Sequence, residues 1–582
     1  MKKLTSLMLI LCMLLSAGLP AFAETPVTPM SEVDTEENFT IDWSDPLNSL
    51  IFGMYSNELT MEDGSVRTVY QYIPTTWRYG QPQVAVAVPS SEDPIAFFEE
   101  TGWKEASENG PFAVVLMTAD NWENQDEYVA AAFKFMNDRA NVHTLKVAFY
   151  MVGYDDAANQ VMEFALTNND ALAGVAAFGV DTFDNALLEL GYNTETAVAG
   201  VMKADVPVPM WIGVEEKSDA TEELIAYWKE VDEVSDQKFS NEYADEIYFY
   251  PSYKSNTFEK TYQNIASVYV TEGLEDVYSP DFTNNLYFNF LGRVRRTYSN
   301  TIRPLKWYAT TEELGFEHYT FDMDGVGREY WVYVPSKIKE SGEEAPVVFV
   351  APGGSDSGEE FITITNWYKC AEERGFILVH LMGSRSNENF KASTTWAPAD
   401  VEYFKEVRAA VTEAYPVDMS RIYMTGHSMG SCLTQWIVML NPELIAAACG
   451  NDALLTIEEI GDIGEFNLDV TIPYMLNTGT MDQNFSVEKG KDYAQLGEFF
   501  GWWCERYGLD PNSPYQFENG IHFGTEYRNS QGIPLVKLQW DEGKTHCMDA
   551  EDPYAIYDFL CNFSRGEDGT SYYMGVEIEL DK

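Results

Sequence analysis

The segment Gly426-His427-Ser428-Met429-Gly430 holds the residues best suited to chemistry. A serine hydroxyl attacks a carbonyl only when a base takes its proton and a carboxylate orients that base. The sequence must therefore supply a histidine and an acid as well. Residues 421–425 (RIYMT) read as a strand and residues 431–440 as an apolar helix, so the serine sits in a strand, tight turn, helix setting. Glycines flank such a turn because the two chains approach too closely for side chains. In this arrangement the acid and then the histidine follow in chain order. The strand at 472–477 leads to Asp482, and the strand at 535–540 leads to His546, each just past a strand end. Of the six histidines, His427 belongs to the turn and His522 follows no comparable strand, which leaves His546 as the base. A turn-forming role is the plain alternative for Asp482. Because the base must be neutral, activity is expected to fall as pH drops through the histidine range, near about 6.5.

A developing oxyanion needs hydrogen-bond donors. Ala351-Pro352-Gly353-Gly354-Ser355 can aim the amide of Gly354 or Ser355 into the site, and the amide of Met429 follows the nucleophile directly.

The elements that must position these groups alternate. Residues 329–335 (EYWVYVP) form a strand by aromatic and β-branched content. Residues 346–351 (PVVFVA) and 376–381 (FILVHL) are continuous apolar runs, as strands buried on both faces should be. Helical spacing falls at 366–374 and 401–414. The alternation predicts an α/β fold with a mostly parallel sheet flanked by helices. Asp322-Met323-Asp324-Gly325 has the start of a calcium loop but lacks the closing glutamate, so a strand-connecting turn is expected.

With 582 residues, 45% hydrophobic and 22% charged, the chain is neither disordered nor fibrous and accommodates two or three domains. A basic start, a short apolar run and Ala21-Phe22-Ala23 read as a signal peptide over residues 1–23, followed by an acidic linker at 24–49. Export is therefore expected, with no other membrane span. The net charge of −56 would repel nucleic acid. Six cysteines remain after residue 23, which permits up to three disulfides, free thiols being the alternative; Cys547 is expected to pair and steady the histidine loop. No cysteine or histidine spacing suggests a metal.

Taken together, YWVYVP, VVFVAPGG, AEERGFILV, ADVEYFKEV, YPVDMSRIYMTGHSMG and GKTHCMD resemble the α/β-hydrolase esterases of the polyhydroxybutyrate depolymerase and feruloyl esterase type, across roughly residues 328–563. The resemblance implies a secreted serine esterase with Ser428, Asp482 and His546 as its triad and no cofactor or metal. It implies an ester substrate that is polymeric or carbohydrate-linked: a polyester, a feruloyl ester or an acetyl ester. Trp396 is expected to contact substrate, a core role being the plain alternative. The rival readings are a serine peptidase of the same fold and a non-catalytic binding protein.

The first half repeats the pattern of the second. Residues 67–74, 83–89 and 147–152 match the strands at 328–335, 347–352 and 421–425, and Asp155 falls at the serine's place. Ser218 stands near the acid's place, Asp276 stands at the base's, and Pro89-Ser90-Ser91 lacks the paired glycines. The expectation is two tandem α/β-hydrolase-like domains, a degenerate one at 50–300 and a catalytic one at 301–582.

Overall fold

The computed structural model describes residues 31–32, 53–77, 81–138, 147–250, 265–296, 305–323, 325–354, 358–385, 394–482, 493–548 and 551–581. The signal peptide expected at 1–23, most of the linker at 24–49, and Ser355 lie outside the described residues.

The first half carries β1 (Ser31–Glu32), β2 (Gly53–Thr60), β3 (Val66–Ile73), β4 (Gln83–Ala87), β5 (Ala113–Met117), β6 (Phe149–Tyr154), β7 (Gly174–Phe178), β8 (Met210–Val214), β9 (Glu246–Phe249) and β10 (Ser267–Glu272). They form one ten-stranded sheet in the order β1-β2-β3-β5-β4-β6-β7-β8-β10-β9. A two-stranded antiparallel pair, β11 (Val294–Arg296) with β12 (Leu305–Trp307), follows.

The second half carries β13 (Glu317–Met323), β14 (Val326–Tyr333), β15 (Ala345–Ala351) and β16 (Ile377–Leu381), then a small hairpin of β17 (Ser384–Arg385) and β18 (Thr394–Thr395). It continues with β19 (Val417–His427), β20 (Ala447–Asn451), β21 (Tyr474–Gly479), β22 (Tyr515–Asn519), β23 (His522–Arg528) and β24 (Pro534–Asp541). The large sheet has ten strands in the order β13-β14-β16-β15-β19-β20-β21-β24-β23-β22.

The two orders run alike. An antiparallel hairpin leads into a parallel run, β5-β4-β6-β7-β8-β10 in one half and β16-β15-β19-β20-β21-β24 in the other, and antiparallel strands close each far edge. Both halves thus have the α/β-hydrolase-like organisation, a mostly parallel sheet between helical layers.

The reason lies in the residues. β4, β5, β15 and β16 are buried at every position, and a strand covered on both faces must be apolar throughout. Gln83 in β4 and His380 in β16 are the polar exceptions, and burial pushes the His380 pKa down to about 3, so it sits in the core uncharged. The helix Asp400–Ala414 buries Val401, Phe404, Val407 and Val411, the three-to-four spacing of one helical face. It stops at Tyr415 because the following Pro416 disfavours helical backbone at the residue before it. Its first residue, Asp400, is buried and pairs with Arg328 of β14 at 2.6 Å, which fixes the helix start to the sheet. Asp322 accepts a hydrogen bond from the Gly325 amide at 3.0 Å between β13 and β14, the strand-connecting turn the sequence suggests.

The cysteines depart from expectation. None of the six, Cys547 included, is joined in a disulfide, and five of them are buried. Cys547 is held within its loop by Thr545 Oγ1, 3.5 Å from its sulfur, and so contributes no covalent brace to the histidine loop. Burial pushes the Cys432 thiol up to about 12 and the Cys504 thiol to about 11, away from thiolate reactivity.

Candidate active site

Ser428 sits between β19 and the helix Met429–Leu440 with φ 51° and ψ −116°, left-handed backbone that a serine rarely adopts. Such a conformation costs on the order of 1–3 kcal/mol and persists only where its surroundings enforce it. Here the Ser428 amide donates to the Asn451 carbonyl at 2.9 Å, tying the turn to β20. A Cβ at Gly430 would lie 2.2 Å from the Ala351 carbonyl oxygen, and one at Gly426 would lie 2.2 Å from that of Gly430. Neither contact can be relieved without moving backbone.

The strand ends then bring two loops to the serine. His546 Nε2 lies 2.9 Å from Ser428 Oγ, and His546 Nδ1 lies 3.0 Å from Asp482 Oδ2. Asp482 is fully buried, while the His546 side chain keeps 19% exposure, enough to meet a molecule from solvent. The loops are knitted to each other: the Thr480 amide donates to the Asp541 carbonyl at 3.1 Å, the Met481 amide to the Lys544 carbonyl at 2.9 Å, and the Gly543 amide to Thr480 Oγ1 at 2.9 Å. Ser428, His546 and Asp482 thus stand in one hydrogen-bonded series. Such a series can move a proton from a hydroxyl to an imidazole while a carboxylate steadies the resulting charge.

Met429 opens its helix, so its amide belongs to the first turn, where backbone donors have no partner within the helix. Gly354 follows the Ala351-Pro352 segment that packs on Gly430. Trp396 is buried at 3% exposure, and its indole donates to the Pro352 carbonyl at 2.8 Å. The structure therefore places Trp396 beneath the glycine turn, as a brace for it. Among the described residues, no group of three or more His, Cys, Asp or Glu is placed to hold a metal. No helix there is long and apolar enough to cross a membrane.

No protein-family model matches the chain. Residues of this chain are 24% identical over 110 positions to a bifunctional acetylxylan esterase/xylanase of Neocallimastix patriciarum, covering 19% of this chain and 16% of that protein. They are 26% identical over 124 positions to feruloyl esterase B of Talaromyces funiculosus, covering 20% of this chain and 34% of that one. The matches thus span about a third of the one relative's length and less than a fifth of the other's. Among solved structures, the acetyl xylan esterase of Aspergillus awamori aligns over 42% of this chain and 99% of its own, at 15% identity and a TM-score of 0.32.

Around the series lies a polar layer that sequence reasoning missed. His427, in the turn, is buried with its ring 5.0 Å from that of His546. Burial first, and then the neighbouring His546 and Lys544, hold its pKa well below the usual value, so it stays neutral. Lys544 is fully buried and reaches Asp552 Oδ2 at 2.9 Å and Asp452 Oδ2 at 3.5 Å. Burial opposes its charge, yet Asp452, Asp552 and Asp541 outweigh that and keep it protonated.

His522, passed over in the sequence, opens β23 and bonds Asp541 Oδ1 through Nδ1 at 2.5 Å, directly beside the His546 loop. That bond raises the His522 pKa. A raised folded-state value means stabilisation that is complete below the unfolded value, about 6.5, and lost as pH climbs through the folded one. His522→Gln should therefore lower Tm most at pH 5.5 to 6.5, and the gap to the wild type should narrow steadily toward pH 9 in a thermal-unfolding series. A gap that widens with pH would contradict this.

Proposed function

We propose that this protein is an exported carboxylic-ester hydrolase working through an acyl-enzyme, with Ser428 as nucleophile, His546 as general base and acid, and Asp482 orienting the imidazole. The observation that carries the reading is the unbroken series Ser428 Oγ to His546 Nε2 at 2.9 Å and His546 Nδ1 to Asp482 Oδ2 at 3.0 Å, on a strained turn. Ser428 adds to the ester carbonyl as His546 takes its proton. The amides of Met429 and of Gly354 or Ser355 receive the oxyanion, and His546 returns the proton to the leaving alcohol. Water, activated by the same imidazole, then releases the acid. The acetylxylan and feruloyl esterases that this chain resembles favour an acetyl or feruloyl ester on a polysaccharide as substrate. The pattern of residues 1–23 supports secretion.

The first half, residues 50–300, reads as a duplicated hydrolase fold without catalysis. Asp155 follows β6 with φ 45°, at the topological place of Ser428. It is hydrogen-bonded to Tyr278, two residues beyond Asp276, in the loop after β10. Asp156 accepts the Ser90 amide at 3.0 Å, so a carboxylate occupies the position where an oxyanion would form, and like charge would repel it.

The test is a nitrophenyl acetate burst with the full chain. One equivalent of nitrophenolate per chain is expected, unchanged by Asp155→Asn. An absent burst would sink the esterase reading, and two equivalents, or a burst lost in Asp155→Asn, would sink the silent first half.

A further inference from the structure

A cavity of about 260 Å³ lies where the two halves meet, and no residue of the triad lines it. The first half contributes Gln81, just before β4, Asn109, just before β5, and the rings of Tyr287 and Phe288. The second contributes Tyr308, which follows β12, together with Thr311 and Glu359 of the helix Gly358–Ile364. Gln81 Nε2 donates to Glu359 Oε2 at 3.4 Å and so joins the two sides. Asn109 is exposed, which leaves the cavity open to solvent at that edge.

Its aromatic walls are fixed. Tyr287 stacks on Phe112 with ring centroids 3.7 Å apart, and Phe288 meets Tyr287 edge-on at 5.2 Å. Glycine permits this fit, because a Cβ at Gly110 would lie 2.7 Å from the Tyr287 ring. Tyr287 and Phe288 belong to a π-helical turn, Leu286–Phe290, a rare form that recurs at functional sites. On the far wall the Arg295 guanidinium lies 4.0 Å over the Tyr308 ring. Walls already held in place lose little freedom when a ligand enters.

The charges select the kind of ligand. Three lining side chains are charged: Arg293, Arg295 and Glu359. Arg293 is met by Glu313 at 2.9 Å, which leaves one positive and one negative group, so the cavity as a whole is balanced. Arg295 is buried and already donates through Nη1 to the Gly292 and Val294 carbonyls at 3.1 and 3.3 Å, so it serves as wall more than as an anion ligand. The net charge of −56 disfavours an anion further. Beside the rings stand the amides of Gln81 and Asn109, the Thr311 hydroxyl and the Glu359 carboxyl, a set that both donates and accepts hydrogen bonds. A neutral sugar ring has the matching surface, an apolar face edged by hydroxyls that each donate and accept. The volume lies just below the roughly 300 Å³ at which small-molecule pockets begin, which suits one ring of a longer chain.

We propose, on the esterase reading above, that this cavity binds one sugar ring of a neutral polysaccharide, the polymer that carries the ester cleaved at Ser428. A polymer can fill the cavity and the active site together, and holding it at the first raises its effective concentration at the second.

Isothermal titration of the full chain with xylotetraose and with cellotetraose tests this, alongside Asn109→Ala and Glu359→Ala. At least one tetraose is expected to bind. Glu359→Ala should weaken that binding by about 10-fold or more, and Asn109→Ala by about 3- to 10-fold, the worth of a hydrogen bond to a charged and to a neutral group. In both variants KM for acetylated xylan should rise by about the same factor with kcat held, while kcat/KM for nitrophenyl acetate, which has no sugar, stays within about twofold of wild type. A merely structural role would lower Tm and leave the titrations and the xylan KM in place, which would overturn the proposal. So would failure of both sugars to bind, or binding of ferulate that is tighter than either sugar and weakened by the same variants, since the cavity would then be a site for an aromatic acid. Should Glu359→Ala not fold, Asn109→Ala decides alone, with unchanged sugar binding counting against the site. Absence of ester turnover by the wild type would count against the esterase reading, while the sugar titrations would still report on the cavity.

Discussion

Ser428→Ala is expected to lower kcat by about 10⁴- to 10⁶-fold while leaving Tm within a few degrees of wild type. The size follows from what the hydroxyl does: without it no acyl-enzyme forms, and the residual rate comes from the amide donors and from binding alone. The His546–Asp482 hydrogen bond does not depend on the serine, so those two side chains stay in place. Alanine also meets no new collision, because it is the smaller residue. Its fit to φ 51° is no worse than that of serine, so the strain is carried over rather than added. A burst assay against nitrophenyl acetate, with a melting curve beside it, checks both halves of the expectation. A variant that folds and turns over within tenfold of wild type would remove Ser428 from the mechanism.

The site was legible in the sequence where its signal is local. A strand, a glycine-flanked serine and an apolar helix lie within some twenty residues, and the structure finds them as β19 and the helix Met429–Leu440. Asp482 and His546 could be named because each follows a strand by a few residues. The distances of 2.9 and 3.0 Å that bring them to Ser428 come from tertiary pairing of β20, β21 and β24. The sheet was legible for a similar reason: β15 is apolar throughout, and β16 apolar but for His380, because both faces are covered.

What escaped was whatever depends on burial by distant parts of the chain. Asp452 looks like any acid after a short small-residue strand, and Lys544 like any turn lysine; only the packed sheet leaves both without solvent. His522 follows no strand comparable to those before Asp482 and His546, and its partner Asp541 comes from the antiparallel neighbour of the strand it opens. In the first half Asp276 stood out by position, whereas Tyr278 makes the bond to Asp155. Cysteine pairing likewise depends on which thiols meet in space, which spacing cannot supply.

Gly479→Ala should separate the two loops that carry Asp482 and His546. Gly479 ends β21, and a Cβ there would lie 1.9 Å from the Lys544 carbonyl oxygen and 2.4 Å from its carbon. Both are backbone atoms, so no side-chain rotation relieves the overlap. The chain at Lys544 must move outward by an ångström or more for ordinary contact, and it is the same chain that places His546 two residues later. The Met481 amide bond to the Lys544 carbonyl, 2.9 Å long, would be lost with it. A displacement of about 1 Å in a catalytic group costs on the order of 10²-fold in rate. The buried Lys544 would be drawn from Asp552, now 2.9 Å away, so stability should fall as well, by roughly 3–5 kcal/mol if that pair breaks. The expected result is a folded but less stable chain whose kcat drops 100-fold or more on that scale. Wild-type turnover in this variant would mean that the two loops are not held together at Gly479, and that the close approach of strand and loop does not set the position of the base.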